Sequence, residues 1–221
     1  MAGIFDVIGP IMVGPSSSHT AGAARLGNIA SRICGQELLK VDFYLHGSFA
    51  KTYKGHGTDK ALLGGILGML PSDERIRESD TLAEDQKLEY SYISADLGDV
   101  HPNTVKIVMY TKAGNRCEVI GSSVGGGNIL ITSVNGIDMQ FTAQYPTIII
   151  RHLDKPGMIA QATSLLSKHH INIAFLKVFR QSRGSEASMV IETDQKVDMV
   201  IIQELEAMSG ITKVMFIDAT E

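Results

Sequence analysis

Residues 147–171 read TIIIRHLDKPGMIAQATSLLSKHHI, and they decide the fold of the carboxy-terminal third of the chain. A run of β-branched residues, typical of a strand, precedes Pro156-Gly157, and apolar residues at helical spacing follow it. The stretch therefore predicts a strand, a tight turn and an amphipathic helix. The residues that the spacing predicts as the buried face of this helix are Ile159, Ala162, Leu165 and Leu166.

The segments that follow complete a six-element pattern. Residues 172–181 and 186–194 read as strands, 197–210 as a helix and 211–218 as a last strand. The order β-α-β-β-α-β is that of a ferredoxin-like unit. Pro156-Gly157 either helps to start the first helix or, through its glycine, lets a ligand or a neighbouring subunit approach.

The chain before this unit predicts an α+β domain with a mostly antiparallel sheet. Apolar spacing favours helices over 20–33 and 60–70, and alternation favours a strand over 40–48. Ser18 or Thr20 is the expected amino-terminal cap of the first helix. Several strands follow, and Asn135-Gly136 is a strong hairpin signal. We therefore expect two domains, over 1–144 and 147–221.

Composition narrows the class of protein. The 221 residues are 44% hydrophobic and 20% charged, with a net charge of -4, which favours globular domains and disfavours nucleic-acid binding. No apolar run approaches the ~20 residues that span a bilayer, and the amino-terminus lacks the basic start of a signal peptide. The two cysteines, Cys34 and Cys117, form no CxxC pair, so a cytoplasmic setting is expected.

Two loops rich in histidine and hydroxyl groups each precede a predicted helix. The first, GPSSSHTAG over 14–22, offers hydroxyl donors to an anion beside the helix amino-terminus, or simply caps that helix. The second, KGHGTD over 54–59, holds a histidine between glycines, again at a helix start. Taken alone, the first loop is structural about as readily as functional, and the second is more often structural than catalytic. Together they favour a shared site for a small anion. The candidate residues are Ser16, Ser17, Ser18, His19, Thr20, His56, Thr58 and Asp59.

Two further loops carry weaker signals. VHPNT over 100–104 places His101 before a proline that favours extended backbone, and Asn103 offers both a donor and an acceptor. SSVGGGN over 122–128 allows close backbone approach. Composition alone favours the first loop as a simple connection before a strand, and three glycines alone are weak evidence for a site.

Taken together, GPSSSHTAGAARLG, GSFAKTYKGHGTDKA, VHPNTVKI and GSSVGGGNI resemble the beta chain of bacterial iron–sulfur L-serine dehydratase. The carboxy-terminal unit with DKPGMIA is similar to an ACT domain, a module that senses amino acids. The resemblance implies an allosteric-substrate-binding-like first domain and conversion of L-serine to pyruvate and ammonia. It implies a [4Fe-4S] cluster ligated by a separate alpha chain, with no metal ligand in this chain.

The resemblance also implies residue roles. His56 would be the base or its partner, and His101 would be the second proton-handling group. Asn103, Thr58, Asp59 and the Ser16–Thr20 loop would hold the substrate or shape the interface with the alpha chain, and His19 would bind rather than act as the base. Gly157 and Asn172 match positions at which ACT domains bind effectors, although such domains also serve only for homodimerisation.

A second interpretation makes the chain a non-catalytic regulatory module that senses serine or another small anion. Such a module would pair an allosteric-type unit with an ACT-like unit, as this sequence does. The chain lacks the nucleotide-binding fingerprint that a complete dehydrogenase would carry. A third interpretation is a free-standing amino-acid sensor that dimerises through its ACT-like sheet.

Overall fold

The computed structural model describes residues 11–180 and 182–218. The amino-terminal stretch 1–10, where we expect no signal peptide, lies outside the described residues. The chain divides between Gly136 and Ile137 into two compact units. Within the described part of the chain, no helix is both long and apolar enough to cross a membrane.

The first unit is built on a mixed sheet with helices packed against it. Its helical segments are a π-helical turn at Ser17–Ala21, α1 at Gly22–Cys34, α2 at Gly47–Thr52, α3 at Thr58–Ile66, a 3-10 turn at Glu74–Glu78 and α4 at Ser79–Asp85. Its strands are β1 at Leu38–Leu45, β2 at Glu89–Ser94, β3 at Thr104–Thr111, β4 at Arg116–Gly125 and β5 at Asn128–Val134.

Within the first unit the strand order is β2-β1-β3-β4-β5, and β6 at Ile137–Phe141 begins the second unit. Only β2 is parallel to its neighbour β1, whereas β1, β3, β4 and β5 pair antiparallel in turn. This confirms the predicted mostly antiparallel sheet. The apolar residues of α1 at helical spacing are all buried, namely Leu26, Ile29, Ala30 and Ile33.

Helices α1 and α3 touch backbone to backbone through glycines. A Cβ on Gly27 would lie 2.2 Å from the Leu62 carbonyl oxygen, and a Cβ on Gly65 would lie 2.1 Å from the Ala24 carbonyl oxygen. Asn28 lies further along α1, and its Nδ2 donates to the Met69 carbonyl, beyond the end of α3, at 3.5 Å. The Thr20 hydroxyl, before α1, donates to the His56 carbonyl, before α3, whereas Asn28 on α1 contacts Met69 after α3. The two helices therefore run in the same general direction, and their amino-termini lie near each other.

The second unit has the predicted ferredoxin-like order. It contains β7 at Thr147–Leu153, α5 at Met158–Lys168, β8 at Ile173–Arg180, β9 at Glu186–Thr193, α6 at Met199–Glu206 and β10 at Ile211–Ile217. The antiparallel sheet has the order β10-β7-β9-β8. Both helices contribute to one core against Ile148, Ile150, Met189 and Ile191.

The predicted buried face of α5 is wrong at one position. Ile159 is 45% exposed, whereas Met158 is 4% exposed. The reason is that α5 begins only after Gly157, whose φ of +89° ends the extended backbone there. Met158 therefore starts the inward stripe with Ala162, Leu165 and Leu166, at i, i+4, i+7 and i+8.

Two helical boundaries in the first unit also differ from expectation. The helix predicted over 60–70 ends at Ile66, because Gly68 at φ +86° turns the chain and the Met69 amide donates to the Gly64 carbonyl at 2.9 Å. Helix α2 was not predicted: the stretch after β1 carries too few apolar positions to show helical spacing. That short helix matters because it supplies a serine to the site.

Candidate functional site

The two loops rich in histidine and hydroxyl groups meet at the paired amino-termini of α1 and α3. The Thr20 hydroxyl donates to the His56 carbonyl at 3.2 Å, and the His19 and His56 ring centroids lie 5.0 Å apart. Each helix start carries unpaired N–H groups and a partial positive charge. Because α1 and α3 are parallel, these partial charges add at one place, which favours an anion there.

The first loop enters α1 through the π-helical turn, and its cap differs from the prediction. Ser16, not Ser18 or Thr20, is the amino-terminal cap: its Oγ accepts the His19 backbone N–H at 3.1 Å. The extra π-helical turn ahead of α1 moves the cap two residues earlier than the apolar spacing indicates. Ser18 is thereby released to contact the His19 ring.

His19 uses both of its ring nitrogens within the site. Nδ1 lies 3.0 Å from the Ser18 hydroxyl, and Nε2 lies 3.0 Å from the Ser48 hydroxyl at the start of α2. The ring also meets Phe49 edge to face at a centroid distance of 5.3 Å. Burial lowers the pKa of the His19 imidazole below its usual 6.5, and the neighbouring His56 lowers this pKa further. His19 is therefore a neutral, fixed ring at neutral pH.

His56 is held by the residue one turn earlier. Its backbone N–H donates to the Thr52 carbonyl at 3.1 Å, and its Nδ1 lies 3.4 Å from that same oxygen. A carbonyl only accepts, so the contact places a proton on Nδ1. In the neutral ring, Nε2 is then an acceptor that can take a proton from a ligand.

Thr58 and Asp59 occupy the first turn of α3 after Gly57, which has a φ of +66°. The Thr58 side chain is fully buried, and its hydroxyl has no hydrogen-bond partner among the described residues. The Asp59 carboxylate accepts the Lys60 N–H at 2.9 Å, and burial raises the pKa of the Asp59 carboxyl above its usual value. Asp59 thus satisfies one backbone N–H in the first turn of α3, while Thr58 retains an unused hydroxyl.

The loop with His101 joins the site through its backbone. The Ser48 N–H donates to the Pro102 carbonyl at 2.8 Å, so this loop lies against the serine that contacts His19. The Asn103 N–H donates to His101 Nδ1 at 3.1 Å, which leaves the ring proton of a neutral His101 on Nε2. The His101 side chain is exposed, and no contact between its ring and either other histidine is recorded among the described residues.

The carboxy-terminal end of β4 also lies against the site, through Ser123. The Ser123 N–H donates to the Asn103 carbonyl at 3.0 Å, and a Cβ on Gly22 would lie 2.1 Å from Ser123 Oγ. This hydroxyl is buried without a partner among the described residues. Sequence reasoning missed Ser48 and Ser123 as site residues. The only signal for Ser48 is a serine following His46-Gly47, and its meaning depends on the unpredicted α2.

Ser17 lies within the π-helical turn and is half-buried. Its carbonyl accepts the Gly22 N–H, which ties the turn to α1. All the predicted residues of the first three motifs therefore lie on segments joined by recorded contacts.

The two effector candidates of the second unit are not brought together by a recorded contact. Gly157 caps α5 in the left-handed region, and its surroundings are open: a Cβ there would meet only Gln161 Nε2, at 3.5 Å. The Asn172 side chain donates to the Asp194 carboxylate. Asn172 is therefore held by its own neighbourhood.

The chain's side chains do not fit a four-iron cluster by themselves. Across residues 11–180 and 182–218, no three His, Cys, Asp or Glu side chains form a group that could hold a metal ion. The sequence has two cysteines, one in α1 and one in β4. Such a cluster is normally held by four thiolates.

Comparison with known proteins identifies the family of the chain. The family profile described as serine dehydratase beta chain matches residues 3–94, and the ACT domain profile matches residues 146–210. A Bacillus subtilis protein named as a probable L-serine dehydratase beta chain is 43% identical over 96% of each chain. An L-serine dehydratase beta chain of Peptoniphilus asaccharolyticus is 46% identical over 86% of each chain.

A more distant relative is the D-3-phosphoglycerate dehydrogenase of Methanocaldococcus jannaschii. It is 24% identical over 89% of this chain, but the match covers only 37% of that protein. The two beta chains, in contrast, match this chain over most of their own length. The chain therefore belongs to the L-serine dehydratase beta chain family.

Proposed function

We propose that this chain is the beta subunit of an L-serine dehydratase that converts L-serine to pyruvate and ammonia together with an alpha chain. The observation that carries the proposal is the meeting of His19 and His56 in a hydroxyl-rich site between two parallel helix amino-termini. The names of its beta-chain relatives supply the substrate and the need for a partner chain. We assign the [4Fe-4S] cluster to the alpha chain.

The substrate carboxylate would bind at the paired helix amino-termini. Hydroxyl groups of Ser16, Ser17, Ser18 and Thr20 line one helix start, and Thr58 lines the other. The Thr58 hydroxyl supports this assignment because it is buried without a partner and can donate to a ligand oxygen. Asn103 adds an amide side chain from the neighbouring loop, and Asp59 maintains the start of α3.

The elimination removes a proton from Cα and the β-hydroxyl of serine as water. This leaves 2-aminoacrylate, which tautomerises to an imine and hydrolyses to pyruvate and ammonia. His56 suits the first task, because its Nδ1 proton faces the Thr52 carbonyl and its Nε2 is free to accept the Cα proton. His101 suits the second, because Asn103 occupies its Nδ1 and its Nε2–H can donate to the departing hydroxyl.

His19 is assigned to binding and positioning. Both of its ring nitrogens already contact serine hydroxyls, at 3.0 Å each. Its ring packs between Phe49 and His56. In this arrangement, His19 fixes Ser18 and Ser48 at the mouth of the substrate site.

Reconstitution with the alpha chain tests the proposal. The complex is assembled anaerobically, and pyruvate formation from L-serine is followed for wild type, His56→Asn and His101→Asn. Because positioned proton-transfer groups contribute about 10²–10⁴-fold, each substitution should lower kcat within that range. A fall of less than about tenfold for both variants contradicts the proton-transfer roles.

His170→Asn is the matched control for these variants. His170 is exposed, lies in the second unit and has a φ of +57°, which asparagine tolerates. This variant should retain wild-type kcat. If the reconstituted wild-type complex forms no pyruvate while the chain alone binds L-serine, the regulatory-module interpretation replaces the dehydratase.

We also propose that the chain self-associates through the ACT-like unit or the first unit. Sedimentation of the chain alone measures this directly. A single monomeric species across the accessible concentration range contradicts it.

A further inference from the structure

The connection between β2 and β3, residues 95–103, carries His101 and runs beside the start of α2. Its first residue is tied to β1, because the Ala95 N–H donates to the Leu45 carbonyl at 2.9 Å. Residues 98–102, which form its tip, are all exposed. The position of His101 therefore depends on how the two limbs of this connection are anchored.

The second limb of the connection packs on the backbone of Gly47 and Ser48. The Ser48 N–H donates to the Pro102 carbonyl at 2.8 Å, and a Cβ on Gly47 would lie 2.6 Å from that oxygen. The Thr104 hydroxyl also donates to the His101 carbonyl at 2.6 Å. Two hydrogen bonds and a close backbone approach therefore hold this limb.

The first limb is anchored by a side chain, that of His46. The Leu97 N–H donates to His46 Nδ1 at 3.1 Å. The His46 N–H in turn donates to the Thr104 carbonyl at 3.0 Å, and the His46 side chain is only 16% exposed. A nitrogen that accepts a hydrogen bond carries no proton, so the neutral ring has its proton on Nε2. His46 thus uses Nδ1 to hold the connection.

Asp96 lies beside the same nitrogen. Its Oδ1 is 3.7 Å from His46 Nδ1 and accepts the Gly98 N–H at 2.9 Å. Because Nδ1 of the neutral ring accepts the Leu97 N–H, it has no proton to donate to this carboxylate. The Asp96 carboxylate is exposed to water, so its charge should contribute little to the position of the connection.

We infer that His46 is a positioning residue for the proposed elimination: it holds the β2–β3 connection and thereby places the His101 ring. The inference rests on the proposed function, in which His101 donates a proton to the departing hydroxyl. His46 acts through Leu97 and His101 rather than on the substrate. The start of α2 then serves two histidines of the site, because the Ser48 hydroxyl also contacts His19 Nε2 at 3.0 Å.

Pyruvate formation by the reconstituted complex tests the inference. His46→Leu and His46→Phe remove the acceptor, whereas His46→Asn keeps an acceptor oxygen close to the position of Nδ1. A misplacement of about 1 Å can lower a rate about 10²-fold, so kcat should fall about 10–10²-fold in the first two variants. It should stay within about threefold of wild type in His46→Asn. KM for L-serine should change less than about twofold, because the proton is donated in the transition state.

The His101→Asn background separates positioning from a general loss of structure. If His46 acts through His101, adding His46→Leu to His101→Asn should lower kcat by less than about a further twofold. Asp96→Asn is the matched control: it removes the charge beside Nδ1, keeps an oxygen for the Gly98 N–H and should retain wild-type kcat. A fall of less than about threefold in both acceptor-free variants, an equal fall in His46→Asn, or an undiminished fall in the His101→Asn background overturns the inference.

Hydrogen exchange of the Leu97 amide, measured by NMR on the full chain alone, requires no activity. Exchange should be at least about tenfold faster in His46→Leu and His46→Phe than in wild type and His46→Asn, because the amide loses its acceptor. If the wild-type complex forms no pyruvate, the proposed function fails. Equal Leu97 exchange in wild type and all three variants instead overturns the inference about His46.

Discussion

At the residue scale, the site holds buried hydroxyl groups that the fold does not use. Thr58 and Ser123 are fully buried, and neither hydroxyl has a partner among the described residues. A buried hydroxyl without a partner costs about 1–3 kcal/mol. Thr58 begins α3, and Ser123 lies on β4 beside Gly22 at the start of α1. A ligand oxygen at the candidate site would satisfy the Thr58 hydroxyl.

Thr58→Val should separate function from stability. Valine keeps the shape of threonine, so removing the unpartnered hydroxyl should leave the free energy of unfolding unchanged or raise it by up to about 1 kcal/mol. The same variant should lower kcat/KM for L-serine by about tenfold in the reconstituted complex, since a substrate hydrogen bond is lost. Urea unfolding and the pyruvate assay measure the two effects.

Thr147→Val is the matched comparison. Thr147 is equally buried, but its hydroxyl donates to the Tyr145 carbonyl at 2.8 Å. This variant should lose about 1 kcal/mol of stability and retain the activity. A Thr58→Val protein that is destabilised as much as Thr147→Val would show that its hydroxyl has a structural partner.

His19 should make stability depend on pH. Burial lowers its pKa in the folded chain below 6.5, so just under that pH the unfolded chain binds more protons. The contribution of neutral His19 to the free energy of unfolding should therefore be complete above pH 6.5 and should be lost as the pH falls through the folded-state pKa. Urea unfolding between about pH 5 and pH 8 should show a smaller fall in His19→Gln than in wild type. Equal slopes in the two proteins would exclude this contribution.

At the element scale, the parallel contact of α1 and α3 is the feature that builds the site. Its glycines allow the backbones to touch, with a Cβ on Gly65 only 2.1 Å from the Ala24 carbonyl oxygen. The loops that precede the two helices are brought together as a result. Without this contact, nothing would hold the His19 and His56 loops next to each other.

Gly65→Ala should therefore destabilise the first unit by about 1–3 kcal/mol, because a rigid backbone oxygen cannot move aside. The added methyl group should also push the two helices apart, displace the loops that precede them and lower kcat. Gly64→Ala, in the same helix, is the control: its Cβ would meet the flexible Ile76 side chain at 3.0 Å. Helix propensity offsets that contact, so its stability should stay within about 1 kcal/mol of wild type. Thermal unfolding of both variants decides between these outcomes, and equal stability would contradict the backbone contact.

The regular elements were largely predictable because each carries its own pattern. β5 and the β3–β4 pair match the alternation in the sequence, and the β-α-β-β-α-β order follows from spacing alone. Helix α2 and the end of α3 were not predictable, because short helices and glycine turns depend on tertiary contacts. Met158 replaces Ile159 in the core for a similar reason: the turn at Gly157 sets the register of α5.

At the scale of the whole molecule, the boundary between the units falls earlier than the sequence suggests. We expect functional domains over 1–144 and 147–221, whereas the compact units divide after Gly136. The segment before β7 contacts the second sheet: the Thr142 hydroxyl donates to Glu192 at 3.0 Å, and Glu192 is 5% exposed. Residues 137–146 therefore belong structurally with the second unit.

A fragment starting at Ile137 should consequently be more stable than one starting at Thr147. The shorter fragment loses β6 and the partner of Glu192, and it leaves this buried carboxylate without its hydrogen bond. Urea unfolding of fragments 137–221 and 147–221 should show a lower transition midpoint for the shorter one. Identical midpoints would contradict the assignment of this segment.

The candidate site could be predicted as a set of motifs but not as a geometry. The loops at Ser16–Thr20, His56–Asp59 and His101–Asn103 are far apart in the sequence, and their spacing says nothing of distance. Their meeting depends on the parallel helices and on the backbone bond from Ser48 to Pro102. The proposed roles of these residues come from the resemblance to a known family. Ser48 and Ser123 are recognised as site residues only from the folded chain.

The glycine contact between α1 and α3 also bears on how such a chain can diverge. The distance between the two helices is set by backbone atoms, with no side chain interposed at Gly27 or Gly65. Mutations elsewhere in the core can accumulate and alter stability without changing this distance. Over evolutionary time, the dimensions of the site are thereby insulated from drift in the surrounding sequence.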